Sequence, residues 1–126
     1  MRDGLLKYNS YYIRSFEVMS LKIIYHIGKE INSDTVVRKG ILGDDTQQMF
    51  IEDAGDRYIF DDIRQVDIVK INMGTMVEIV NGEDTIFLAV PRIFIGKGTG
   101  FTIINRFATK KAAQLLSCAM RYQKNK

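Results

Sequence analysis

Nucleophilic and metal chemistry usually begins with an imidazole and a thiol, and this chain of 126 residues holds one of each, His26 and Cys118. A single imidazole can serve as a general base, and a thiol beside it as a nucleophile. The surroundings of both argue otherwise. His26 lies in an alternating run, on the face it shares with Lys22 and Ile24, where a strand histidine is hydrogen-bonded or faces solvent. Cys118 flanks an apolar helical stripe, where a thiol behaves as a small hydrophobe. One His and one Cys fall short of the three or four nitrogen and sulfur ligands of a zinc site. A lone cysteine closes no internal disulfide.

Carboxylates are the next candidates. Asp44-Asp45 and Asp61-Asp62 are paired, with Glu52-Asp53-Ala54-Gly55-Asp56 between them. Such clusters hold Mg²⁺ or Ca²⁺ when their oxygens converge. The spacing of a calcium-binding loop with its closing glutamate is absent, and adjacent aspartates at turns bond their own backbone. No catalytic constellation, metal site or cofactor motif emerges, so the expectation is a protein that is not an enzyme and carries no cofactor. A small enzyme working with carboxylates, tyrosines and lysines would need an inward-facing Asp or Glu in a closed apolar pocket.

Anion chemistry has more to work with. Gly96-Lys97-Gly98-Thr99-Gly100 is glycine-rich with a cation in the middle. It departs from both phosphate-loop patterns, and a strand-like Phe101-Thr102-Ile103-Ile104 follows it, so no helix start points at the loop. Arg106, Lys110 and Lys111 stand where the last helix should begin, against the helix dipole, at about 0.3–1 kcal/mol each at low salt. Two explanations fit: pairing with acids elsewhere in the chain, or an anion held between Lys110, Lys111 and the free N–H groups of the helix start. Lys97, Arg106, Lys110 and Lys111 are therefore the candidate anion-binding set. A phospholipid headgroup on a membrane surface suits it. Nucleic acid suits it less, since the ribonucleoprotein motif is missing and the acidic middle of the chain would repel phosphate.

The charge pattern sharpens the choice. Residues 1–43 carry 7 basic and 4 acidic side chains, residues 44–84 carry 3 and 11, and residues 85–126 carry 8 and none. A basic end of this kind marks an anionic partner, unless it lies beside the acidic segment and is neutralised by it.

The elements that must position these residues are short. One proline and turn signals every 8–12 residues separate brief apolar runs, the pattern of a small barrel or sandwich. Leu21, Ile23, Tyr25 and Ile27 alternate with Lys22, Ile24 and His26 as a half-buried strand. Residues 35–42 form a second candidate, and 48–51 with 58–60 a hairpin. The run of Val66, Ile68 and Ile71 slips at Val69, which suggests a bulge there. Asn81-Gly82 predicts a two-residue type I′ turn, pairing Val80 with Glu83 and Val77 with Ile86. Val77, Ile79, Ile86 and Leu88 then share one face, and Met76, Glu78, Thr85 and Phe87 the other. Pro91 ends this strand or takes an edge. Ala112, Leu115, Leu116, Ala119 and Met120 make one helical stripe. Thr109 is the expected N-cap of a helix over 109–122, fraying from Gln123 onward. Residues 1–19 form an arm or a short helix, in which Tyr8, Tyr11, Tyr12 and Phe16 are a candidate partner-binding cluster.

The order of elements resembles the pleckstrin-homology-like superfamily, in particular its bacterial PH-like and GRAM-type domains. Lys39-Gly40-Ile41-Leu42 is similar to an early strand ending in Gly-x-Leu. Residues 58–66 resemble the strand, acid-Ile corner and x-x-Val of that family, and Met76 to Val90 its later hairpin before a closing helix. The match covers about residues 20–122. It implies an α+β fold: an antiparallel β-barrel or two nearly orthogonal sheets, capped by one C-terminal helix, with residues 20–126 as a single domain. It also implies a module that binds without catalysis. The headgroup loop of the family corresponds to residues 28–34, where one lysine meets two acids, so this chain departs from the pattern there.

The expectation is thus a non-catalytic interaction module for a protein partner or for itself as a homo-oligomer, with anionic-ligand binding by the basic third as the alternative. No secretory leader and no apolar run of about 18 residues is seen, which points to a cytoplasmic protein.

Overall fold

The computed structural model describes residues 20–32, 34–45, 48–71, 74–93 and 103–125. Seven strands form one antiparallel sheet: β1 (Ser20–Ile27), β2 (Arg38–Asp45), β3 (Gln48–Asp53), β4 (Asp56–Phe60), β5 (Ile63–Ile71), β6 (Gly74–Asn81) and β7 (Asp84–Ala89). Their order across the sheet is β4-β3-β2-β1-β7-β6-β5. Two meanders, β1 to β4 and β5 to β7, therefore meet where β1 pairs with β7, from Ile24↔Ala89 to Ile27↔Ile86. All seven belong to one hydrogen-bonded sheet rather than to two. The strands curl as one half-barrel, and α1 (Arg106–Lys124) closes it. A short ribbon of β8 (Pro91–Ile93) and β9 (Ile103–Ile104) leads into the helix. Pro91 opens an edge strand, where its missing N–H leaves no ladder bond unmade.

Period-2 alternation sorts the side chains onto the two faces. The inner face gathers Ile23, Leu42, Ile51, Phe60, Val77, Ile79, Ile86 and Leu88, all nearly solvent-free, under Ala112, Ala113 and Leu116 of the helix. Burial of each large aliphatic chain here is worth about 1.5–3 kcal/mol. Ile24, Met76, Phe87 and Ala89 form a second cluster on the outer face, joined by Ile31, Val37, Val69, Ile71 and Ile104.

That second cluster explains β5. Val66 faces the inner core while Val69 and Ile71 face the outer one, and Val69 pairs regularly with Met76. The apparent slip at Val69 is a strand serving two cores. The actual irregularity lies between Ile63 and Gln65.

The hairpin after β6 also differs from its sequence reading. Asn81 pairs with Asp84, Val80 with Thr85 and Val77 with Leu88, so the turn residues are Gly82 and Glu83. Gly82 has φ +62° and Glu83 is not in the left-handed region, the type II′ pattern rather than I′. The register moves by two residues, which keeps every side chain on its expected face. The positive-φ pair occurs instead in the β3–β4 turn, at Ala54 (+52°) and Gly55 (+92°).

The helix begins three residues earlier than expected. Asn105 is the N-cap, its Oδ1 accepting from Ala108 N at 3.0 Å. Thr109 is fully buried, and its Oγ1 accepts from Val90 N at 2.9 Å, tying the first turn of α1 to the end of the sheet. β2 likewise starts at Arg38 rather than residue 35.

Candidate functional site

Two tyrosine networks lock the sheet. Tyr25 donates to Asp53 Oδ2 at 2.5 Å, and Arg38 Nε reaches the same oxygen at 2.9 Å. Burial first, and then the bond to Asp53, push the Tyr25 hydroxyl up to about 12. The Tyr25 bond, seconded by Arg38, holds the Asp53 carboxyl below the usual range. Tyr58 donates to Asp84 Oδ2 at 2.8 Å and accepts from Asn81 Nδ2 at 2.9 Å. Burial raises its hydroxyl to about 12 as well. Groups so firmly protonated hold structure and are poor proton shuttles at neutral pH.

Asn81 is the hub of the acidic corner. Its amide also donates to Ile59 O at 3.2 Å and accepts from Asp62 N at 2.8 Å. Gly82 N bonds Asp62 O at 2.8 Å. Asp61, Asp62, Glu83 and Asp84 all belong to the two turns joined in this way. The end of α1 is fastened to the same corner: Gln123 Oε1 accepts from Ile63 N and Gln123 Nε2 donates to Phe60 O, both at 2.8 Å.

His26 stands on the outer face, paired with Phe87, with its ring over Gly28. Cys118 lies on the helix that covers the inner face, where Arg121 Nη2 approaches its sulfur at 3.3 Å. The two are on opposite sides of the sheet, so no dyad forms between them. Among the described residues no three His, Cys, Asp or Glu side chains gather as a metal would require.

The basic residues occupy different ground. Arg106, Lys110 and Lys111 are exposed on the first two turns of α1. Because the helix starts at Arg106, Lys110 and Lys111 lie a turn beyond its free N–H groups, one of which Asn105 already serves. That far along the axis the dipole penalty on the lysines is small. Along the helix, Phe107, Lys110, Lys111 and Gln114 follow at i, i+3, i+4 and i+7, one stripe opposite the buried Ala112, Ala113 and Leu116. Phe107 is 84% exposed. Asn105 N bonds Val90 O, and Pro91 pairs with Ile104, placing exposed Arg92 beside this start. Gly74 approaches Ile104, and exposed Lys70 stands opposite Thr75, the next residue of β6.

Ion pairing does not cancel this patch. Arg38–Asp53, Arg57–Asp45, Arg57–Glu52 and Arg64–Asp62 all use partners from residues 38–64. Arg106, Lys110 and Lys111 pair with no carboxylate among the described residues. Asp62 bonds Arg64, Asp67 bonds Gln65, and Asp61 and Asp62 sit by Gln123. Thirteen residues of helix, about 20 Å at 1.5 Å each, separate Gln123 from Lys110. The reading in which acidic and basic segments neutralise each other does not describe this surface.

Lys97 and the cluster of Tyr8, Tyr11, Tyr12 and Phe16 lie outside the described residues. Phe107 is one of the aromatics, with Phe101 and Tyr122, that the sequence offers for stacking near the basic end, and it is exposed; sequence reasoning missed Gln123 as a clamp. The acid-free run after Asp84 was the available signal for the basic face; nothing local marks Gln123.

Fold and surface together define a class: a curled antiparallel half-barrel closed by one helix, with a cationic helix start and an acidic corner. No helix among the described residues is long and apolar enough to cross a membrane. No protein-family model, no curated protein and no solved structure matches the chain.

Proposed function

We propose that the chain is a non-catalytic binding module of PH-like architecture whose contact surface is the solvent face of α1 around Arg106, Lys110 and Lys111, and whose partner is polyanionic. Two meanders joined through β1 and β7 and closed by a C-terminal helix support the architectural half of this reading. The observation that carries the functional half is the exposed cationic helix start with no described carboxylate paired to it. A structural role for three such cations would put an acid within reach. The acids of the turns at Asp61–Asp62 and Glu83–Asp84 gather at the far end of the helix.

The test is retention on immobilised heparin across a salt series, with the folded triple variant Arg106→Glu/Lys110→Glu/Lys111→Glu beside the wild type. Wild type should bind at low salt, and loss of three cations should flatten the log–log salt slope by about 2–3. Wild type that passes through at low salt refutes the reading.

A second reading keeps one observation of its own. β5 is an edge strand of nine residues, and Ile68 on it is 48% exposed. A protein partner adding a strand there, or a second copy of the chain, would cover both the open edge and that side chain. Proline at alternate positions of β5 would abolish such an association and leave heparin retention unchanged.

A further inference from the structure

The basic helix start carries a feature that a generic polyanion site does not need. Phe107 projects at the N-terminal end of the cationic stripe and is the most exposed large hydrophobic residue among those described, at 84%. Its neighbours on the stripe are Lys110 and Lys111, with Arg106 adjacent in the chain and Arg92 on the β8 strand that pairs just ahead of the helix. A phenylalanine offers roughly 150–250 Å² of apolar surface, and water is a poor place for it. Followed by two lysines on the same helix face and placed on a helix rather than in a cleft, it has the form of a wedge.

We infer that this face docks on an anionic phospholipid bilayer, with Phe107 entering the headgroup–acyl boundary and the flanking cations resting on the lipid phosphates and carboxylates. The inference rests on the polyanion reading above and names its partner. Three observations favour a bilayer over a nucleic acid. The surface is the convex outer side of a helix, which suits a plane; single-stranded nucleic acid is held in grooves. Only one aromatic side chain projects among the described residues of the helix start, whereas nucleic acid binding needs a platform for successive bases. Cations flank an exposed apolar side chain along one helix, the arrangement of interfacial segments that combine electrostatic attraction with shallow insertion. Each cation near an anionic leaflet strengthens binding about fivefold, and the effect dies away within a Debye length.

The chain contains no tryptophan, so Phe107→Trp installs a single reporter at the proposed point of entry. Because Phe107 is exposed, replacing it leaves the core untouched. The full chain is mixed with phosphatidylcholine vesicles, with vesicles containing about one third phosphatidylserine, and with heparin or glycerophosphoserine as anions lacking a bilayer. The expected result is sedimentation with the anionic vesicles only, a blue shift of the tryptophan emission and protection from an aqueous quencher there, and no shift with heparin or glycerophosphoserine. Phe107→Ala should weaken vesicle binding about tenfold and leave heparin retention unaltered. Heparin retention without vesicle binding, or vesicle binding that is blind to residue 107, overturns the bilayer inference and leaves the polyanion reading standing. Loss of both heparin and vesicle binding overturns the two together.

Discussion

Gln123 makes two hydrogen bonds across about half the chain, and removing them should be felt by the whole molecule. Its carbonyl oxygen satisfies Ile63 N, and its amide satisfies Phe60 O. Ile63 is 2% exposed and Phe60 fully buried, so water cannot readily replace either bond. At a net 0.5–1.5 kcal/mol per bond, Gln123→Ala should cost about 1–3 kcal/mol. For a domain of this size that lowers the midpoint of thermal unfolding by about 4–12 °C. Gln123→Glu separates the two bonds. A carboxylate still accepts from Ile63 N, but it faces the Phe60 carbonyl without a proton to donate. Its folded pKa should therefore rise above the ordinary glutamate value of about 4.3. A raised folded pKa gives stability that is present below the unfolded pKa and lost as pH rises through the folded one. The deficit of Gln123→Glu against wild type should thus shrink below about pH 4 and be largest at neutral pH. Urea denaturation at several pH values, with Lys124→Ala as a control of the same helix end, measures this. A Gln123→Ala variant within about 0.3 kcal/mol of wild type, or a Gln123→Glu deficit flat with pH, would refute the clamp; the threshold is well under the smallest expected loss.

Other outcomes follow from the same geometry. Tyr25 and Tyr58 should ionise near pH 12 rather than 10, a late phase in rapid pH-jump absorbance that Tyr25→Phe/Tyr58→Phe removes. By the same linkage, stability due to their raised pKa values is complete below pH 10 and drains away through pH 12, so wild type and Tyr25→Phe should converge in denaturation midpoint over that window. Ala54 holds φ +52° at the first central position of a type I′ turn, so Ala54→Asn should stabilise by about 0.5–1 kcal/mol in chemical denaturation. Thr109→Val should cost about 1–3 kcal/mol by stranding Val90 N, while Thr109→Ser keeps the acceptor and most of the stability.

Face assignment was legible in the sequence because alternation survives a register error of two. Val77, Ile79, Ile86 and Leu88 reach the inner core although the turn between β6 and β7 is displaced. The turn itself was not legible. Asn81-Gly82 suits either turn type, and what decides is the use of the Asn81 side chain by residues 59–62, a partner about twenty positions away. The helix stripe was plain, but the cap was not, since Asn105 and Thr109 are both good capping residues and a contact with Val90 claims the second. Composition alone marked the basic end of the chain. The position of Phe107 on its solvent face depends on where the helix starts, which composition does not set.

The Gln123 clamp also gives the fold a direction in time. A chain is made from its first residue onward, and the hairpins of β1 to β4 are local enough to form as they emerge. The corner at Phe60 and Ile63 must wait for a partner some sixty residues downstream, and β1 must wait for β7. Through most of synthesis the inner face of the sheet and the unfilled flank of β1 stand open, the condition in which nascent chains pair wrongly or engage chaperones. A stop codon placed just before Gln123 would leave every strand intact and still deprive the molecule of the contact that completes it.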